Sequence, residues 1–176
     1  MNELSNSVTM VGNYNNILTS ITSNTLVVSI IEELTITRAV DKRNWIDGFL
    51  TYIITINNKN NNTFFNSIVT DIIDTSLVNF MANSITINGR PASKREYSYD
   101  GDSNILRITL AEVVANTDTI ITYRIKKRYN TEFYLKNSSM LTYDNKTIYS
   151  NMVTVRSYMV TPRKFSFDCK SPFWRY

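Results

Sequence analysis

The chain has 176 residues and 20.4 kDa, enough for one domain with a sizeable buried core and extensions beside it. Asn supplies 22 residues, Thr 21 and Ile 20, with eleven Tyr, eight Phe, four Gly and three Pro, which favours β-strands joined by polar loops and excludes collagen, a coiled coil and a disordered chain. The net charge of +4 is local: residues 1–155 balance 14 cations against 14 anions, and residues 156–176 carry five cations against Asp168.

In chain order, residues 1–31 form the first unit. Met1 to Ser7 lacks the charged and apolar regions of a signal peptide, so no recognisable leader is expected. The apolar run Leu26–Ile31 is far too short to span a membrane, and no membrane insertion is predicted. From Leu34 onward the pattern has period two. Strands are expected at Leu34–Val40, Leu50–Ile56, Ser67–Ile73, Ser84–Ile87, Glu96–Tyr99, Ile105–Leu110, Thr119–Lys126 and Tyr149–Val155. Asn88-Gly89 and Asp100-Gly101 supply turn residues that tolerate positive φ. Asn57–Asn62 reads as a loop too rich in Asn to sustain a ladder, and Ala111–Ala115 as a helical turn. The expected fold is all-β: an immunoglobulin-like β-sandwich of seven or eight strands over residues 32–156, with an N-terminal β arm and a C-terminal tail.

The arm repeats the end of the sandwich. Asn6-Ser7 and Ser23-Asn24-Thr25-Leu26-Val27-Val28 echo Asn137-Ser138 and Ser150-Asn151-Met152-Val153-Thr154-Val155. The Asn-Ser pairs lie 131 residues apart and the Ser-Asn pairs 127, so the first copy has about four more residues in its loop. Both read as the final hairpin of a sandwich.

Residues 34–155 carry an ordered series of motifs. Leu34-Thr35-Ile36-Thr37-Arg38 opens it, and Gly48 through Tyr52 to Asn57-Asn58 continues it. Ile68-Val69-Thr70-Asp71, Ser84–Gly89, Tyr97–Asp100, an Ile-x-Leu strand and a Ser-Asn-x-Val-x-Val ending complete it. This series resembles the bacterial repeat domain called domain of unknown function eleven. The resemblance implies an immunoglobulin-like surface module without catalysis, in tandem arrays, of a kind found in clostridial spore appendages. Some related wall modules cross-link a Lys of the first strand to an Asn of the last. Arg38 stands at the Lys-like position opposite Asn151, which argues against that bond in this chain.

Catalytic chemistry finds little footing. Histidine is absent, which removes the usual general base and the commonest metal ligand. The lone Cys169 excludes an intrachain disulfide and Cys-rich zinc sites. Asp100-Gly101-Asp102-Ser103-Asn104 begins like a calcium loop, but Ile105 and Ala111 stand where Gly and Glu are needed. Asp71 and Asp74, three apart on a strand, point to opposite faces and make no acid/base pair. No enzyme, cofactor or metal is expected. Three glycan-acceptor patterns, at Asn61, Asn137 and Asn145, are expected by chance in so Asn-rich a chain.

The tail, residues 157–176, interleaves cations with aromatics. Arg156 and the four cations of the tail, without a binding fold, are too few to favour nucleic acid or an anionic membrane surface. A docking peptide is the favoured reading, because Phe165 and Phe167 alternate on one face of an extended segment; a strap on its own domain is the other. The candidate subunit-interface residues are Leu18, Ile21, Leu26, Val28, Ile30, Phe165, Phe167, Phe173 and Trp174, with Cys169 the candidate for an intermolecular disulfide. The expected role is a structural subunit that self-assembles head to tail into an extracellular or spore-surface filament, with other surface or coat proteins as further partners. The alternative is a surface or virion adhesion module that binds a ligand without polymerising.

Overall fold

The computed structural model describes residues 2–30 and 34–161. The arm contains β1 (Asn2–Asn6), β2 (Thr9–Tyr14), β3 (Ile17–Thr22) and β4 (Leu26–Ile30). The sandwich begins with β5 (Thr35–Val40), β6 (Asn44–Trp45), β7 (Phe49–Asn58), β8 (Phe64–Ile72) and β9 (Val78–Ile87). It continues with β10 (Arg90–Pro91), β11 (Tyr97–Asp100), β12 (Ile105–Val113) and β13 (Thr117–Lys127). It closes with β14 (Phe133–Asn137), β15 (Ser139–Tyr143), β16 (Lys146–Tyr149) and β17 (Val153–Ser157). No helix occurs among the described residues.

Two layers enclose the core. One is ordered β10-β9-β13-β7-β5; the other is β11-β12-β8-β15-β16, extended by β14-β17-β6. The long strands alternate as period two requires. Along β7, Leu50, Tyr52, Ile54 and Ile56 are buried while Phe49, Thr51, Ile53 and Thr55 are not. Leu106, Ile108 and Leu110 of β12 meet Ile121, Tyr123 and Ile125 of β13 in the same core. The fold is the immunoglobulin-like sandwich that the alternation and turn spacing predict. Residues 35–157 hold thirteen strands rather than seven or eight, the additional ones being the two-residue β6 and β10 and the hairpin strands β14, β15 and β16.

Local expectations fail in three places. Ala111–Val113 continues β12 as strand, with Glu112 and Val113 paired to Phe65 and Phe64, because Val113 is fully buried on the core face. Asn57 and Asn58 belong to β7 and pair with Asp118 and Thr117. There the Asn58 amide donates to the Val113 carbonyl at 3.0 Å, so a polar side chain serves the ladder's end. Asn88-Gly89 makes the tight turn as expected, with φ of 51° and 78°. At the second turn, though, Asn104 takes the positive φ, at 59°, and Gly101 does not.

Candidate functional site

Two features stand out: a polar cluster inside the sandwich and an apolar hairpin outside it. The cluster is centred on Arg38 of β5, which is 3 % exposed and lies over the Tyr52 ring at 3.8 Å from the centroid. Its Nη1 donates to Asp71 Oδ2 of β8 and to Ser139 Oγ of β15, and its Nη2 donates to the Tyr123 hydroxyl of β13 at 2.7 Å. Tyr123 donates to Asp71 at 2.7 Å, and the Asn137 amide donates to the other Asp71 oxygen at 2.8 Å. One ion pair thus joins β5, β8, β13 and the last hairpin across both layers.

Electrostatics follow from this packing. Burial works against the Arg38 charge, but Tyr123 and Asp71 outweigh it, and the guanidinium is held above its usual range. Burial pushes the Tyr52 phenol up to about 12, with Arg38 opposing. Burial and then Asp71 push Tyr123 well above its ordinary value. Arg38 stays charged and both phenols stay protonated near neutrality, and the cluster fastens the two layers together. Asp71 is buried in this ion pair, whereas Asp74 caps the following turn through the Ser76 amide at 3.1 Å. Asp100 likewise ties its own turn, accepting from the Asp102 amide at 3.0 Å. Among the described residues no cluster of acidic, Cys or His side chains is arranged to hold a metal.

Asn151 lies opposite Arg38 as the resemblance to wall modules implies, yet its partner is backbone. Its Oδ1 accepts from the Arg38 amide at 2.9 Å and its Nδ2 donates to the Arg38 carbonyl at 3.0 Å. The side chain imitates one more ladder rung on the outer edge of β5.

The arm is a second hairpin of the same design. β1 pairs with β4 from Asn2↔Ile30 to Asn6↔Leu26, and β2 pairs with β3 from Thr9↔Thr22 to Tyr14↔Ile17. In the sandwich, β14 pairs with β17 up to Asn137↔Val153, and β15 with β16 from Met140↔Tyr149 to Tyr143↔Lys146. Each hairpin turns on two residues of positive φ, Asn15-Asn16 and Asp144-Asn145.

The joints between the ladders agree bond for bond. In the arm the Ser23 amide donates to the Val8 carbonyl at 2.8 Å, the Val8 amide donates to Ser23 Oγ at 3.0 Å, and Ser23 Oγ donates to the Asn24 carbonyl at 3.0 Å. In the sandwich the Ser150 amide donates to the Ser139 carbonyl at 2.8 Å, the Ser139 amide donates to Ser150 Oγ at 2.9 Å, and Ser150 Oγ donates to the Asn151 carbonyl at 2.9 Å. The echo in sequence is a structural repeat.

Burial separates the two copies. Leu141, Val153 and Val155 of the sandwich hairpin are buried. Met10 and Leu26, at the places of Leu141 and Val153, are 66 % and 63 % exposed. Val8, Val11, Tyr14, Ile17, Leu18 and Ile21 are exposed too. Of the interface candidates, Ile21 faces Met10 across the ladder, Leu18 faces Asn13 nearer the tip, and Leu26 opens β4. Val28 and Ile30 lie in β4, opposite Leu4 and Asn2. Phe165, Phe167, Cys169, Phe173 and Trp174 lie outside the described residues. The buried cluster is what sequence reasoning missed in detail: the Arg38 and Asp71 positions are visible, but their pairing across two layers is not.

No protein-family model matches the chain, and no curated protein matches it in sequence. Solved structures match it in fold. The major pilin subunit BcpA of Bacillus cereus superposes with a TM-score of 0.54 at 14% identity, over 86% of this chain and 48% of that one. The major pilin SpaD of Corynebacterium diphtheriae gives 0.52 at 17% identity, over 69% of this chain and 35% of that one. The C-terminal domain of the Streptococcus agalactiae polypeptide BspA gives 0.55 at 12% identity, over 90% of this chain and 59% of that one. The chain therefore spans about half the length of the Bacillus pilin it matches. At these identities the likeness shows the fold.

Proposed function

We propose that the protein is a structural subunit of a bacterial surface filament or layer, self-assembling through inter-subunit strand and tail contacts and without catalysis. One observation carries the reading: a well-formed hairpin whose apolar residues stand in solvent, while the counterparts of Met10 and Leu26, Leu141 and Val153, form core in the same chain. A lone two-stranded hairpin is marginal in water, and a contiguous apolar face invites a partner. Strand addition by such an element joins the chain to a sandwich outside it, and heterologous tail contacts between copies then generate open, head-to-tail arrays when rotation does not close. The kinship of fold with pilin subunits supports this, as does the motif series shared with the repeat domain. Clostridial spore appendages are the setting to which that resemblance points. The tail would supply the copy-to-copy contact, with Phe165, Phe167, Phe173 and Trp174 as anchors and Cys169 bridging subunits.

Electron microscopy and sedimentation of the purified full chain test the reading. Polymers are expected, lost when residues 157–176 are removed, with Cys169→Ser eliminating species that resist boiling without reductant. A chain that stays monomeric at high concentration would favour the adhesion module instead. The place to seek its ligand is the cleft of about 330 Å³ lined by Phe49, Phe80, Met81, Ser84 and Arg124, beside the bulge between β9 and β13.

A further inference from the structure

We infer that the N-terminal hairpin is the closing hairpin of another immunoglobulin-like sandwich, and that its partner is a sandwich on a separate polypeptide lacking those two strands. The inference rests on the arm being donated between chains, and leaves copy-to-copy assembly to the tail.

The seat can be read from the hairpin that is already at home. Residues 133–157 meet the rest of the sandwich in three ways. β15 pairs with β8, from Ser139↔Asp71 to Thr142↔Ile68. Asn137 donates to the Asp71 carboxylate, and Asn151 grips the backbone of β5 at Arg38. Leu135, Leu141, Val153 and Val155 fill the core.

The arm reproduces the equipment for each contact. Asn6 stands at the place of Asn137 and Asn24 at the place of Asn151. Met10, Ile21 and Leu26 stand at the places of Leu141, Ile148 and Val153. The Ser23 joint that would present Asn24 is formed, with the same three bonds as the Ser150 joint. An Asn amide held in this way is suited to a free strand edge, and an amide at position 6 is suited to a carboxylate.

A complete copy of this chain offers no such seat, because residues 133–157 occupy it. The fitting acceptor is therefore an open sandwich with an unpaired strand edge like that of β8, an acidic residue beside it and a free β5-like backbone. Three buried positions differ: Val8 replaces Ser139, Gly12 replaces Tyr143 and Ile30 replaces Ser157. The acceptor therefore satisfies any buried cation of its own without that Ser139 hydroxyl and fills the place of the Tyr143 ring from its own side.

The test exchanges the two hairpins. In the full chain, residues 133–157 are replaced by a second copy of residues 2–30, joined at 132 and 158. The chimera is expected to melt cooperatively and to protect the amides of β5 and β8 from exchange. Asn6→Ala with Asn24→Ala in the inserted copy should lower its midpoint, while the same pair in the native arm leaves it unmoved.

As a second measurement, a synthetic 2–30 peptide is added to the full chain carrying Val155→Asp, which loosens its own hairpin. Saturable rescue of the cooperative melt is expected, weakened at least tenfold by the two Ala changes in the peptide. A chimera that does not fold, together with a peptide that does not rescue, would overturn the assignment. So would rescue indifferent to Asn6 and Asn24. Filament formation by the intact chain is not an input to either readout, so the two proposals fail separately.

Discussion

The two hairpins, 2–30 and 133–157, share register, turn chemistry and the serine joint, yet one is core and the other is surface. The difference teaches that the hairpin's local geometry does not depend on the sandwich around it. Backbone ladders, two left-handed turn residues and the side-chain bonds of Ser23 or Ser150 are enough to define the shape. Burial decides only what the shape is worth. The same apolar positions stabilise the chain when covered and oblige it to find a partner when not.

The largest expected break comes from the cluster that fastens the home hairpin. Asp71→Ala leaves the Arg38 guanidinium buried and uncompensated, so stability should fall by about 3–5 kcal/mol in a denaturant melt. The double change Arg38→Met with Asp71→Leu should recover most of that loss. Next come matched truncations of the two hairpins. Leu141→Ala opens a core cavity and should cost about 2–5 kcal/mol. Met10→Ala, at the same place in the exposed copy, should move the monomer by no more than about 0.5 kcal/mol.

A finer contrast concerns the clasping amides. Asn151→Ala removes two bonds to the β5 backbone and should cost about 1–3 kcal/mol, at about 0.5–1.5 kcal/mol for each bond. Asn24→Ala should be silent in the monomer and show only when a partner is bound.

The last contrast is a pH dependence that is silent near neutrality. Tyr52 ionises near 10 when unfolded and near 12 when folded, so its contribution is intact below pH 10 and fades as pH rises from 10 towards 12. Tyr52→Phe should flatten that part of the alkaline stability curve, and a curve unchanged by the substitution would contradict the assignment.

Much of this was legible in the sequence. Period two along Leu50–Ile56 and Thr119–Lys126, with Asn88-Gly89 between strands, specifies sheets and the residues facing inward. The echo of Asn6-Ser7 and Ser23-Asn24 could be read by eye, since a repeated joint repeats its residue types. What could not be read are long-range choices. Ala111–Val113 looks helical because Ala and Glu favour helix, and only the buried seat of Val113 beside Phe64 overrides them. Arg38 reads as an ordinary strand cation until Asp71 arrives from 33 residues away in the other layer.

The parallel pairing of β6 with β17 has a mechanical consequence. The chain enters the sandwich near Leu34 and leaves it near Tyr158, so tension between neighbours would be applied at these points. Arg156 and Ser157 lie beside Asn44 and Trp45 and run the same way, flanked by the Arg156 amide to the Arg43 carbonyl at 2.9 Å and the Tyr158 amide to the Trp45 carbonyl at 2.9 Å. Pulled from opposite ends, parallel strands slide past each other and load every rung together, whereas a hairpin pulled at its open end unzips one rung at a time. The Asn151 grip on Arg38 lies on the same line of load and is backed by the buried ion pair. β6 and the exit strand β17 thus act as a shear joint behind β5, with resistance set by how fast the whole seam gives way.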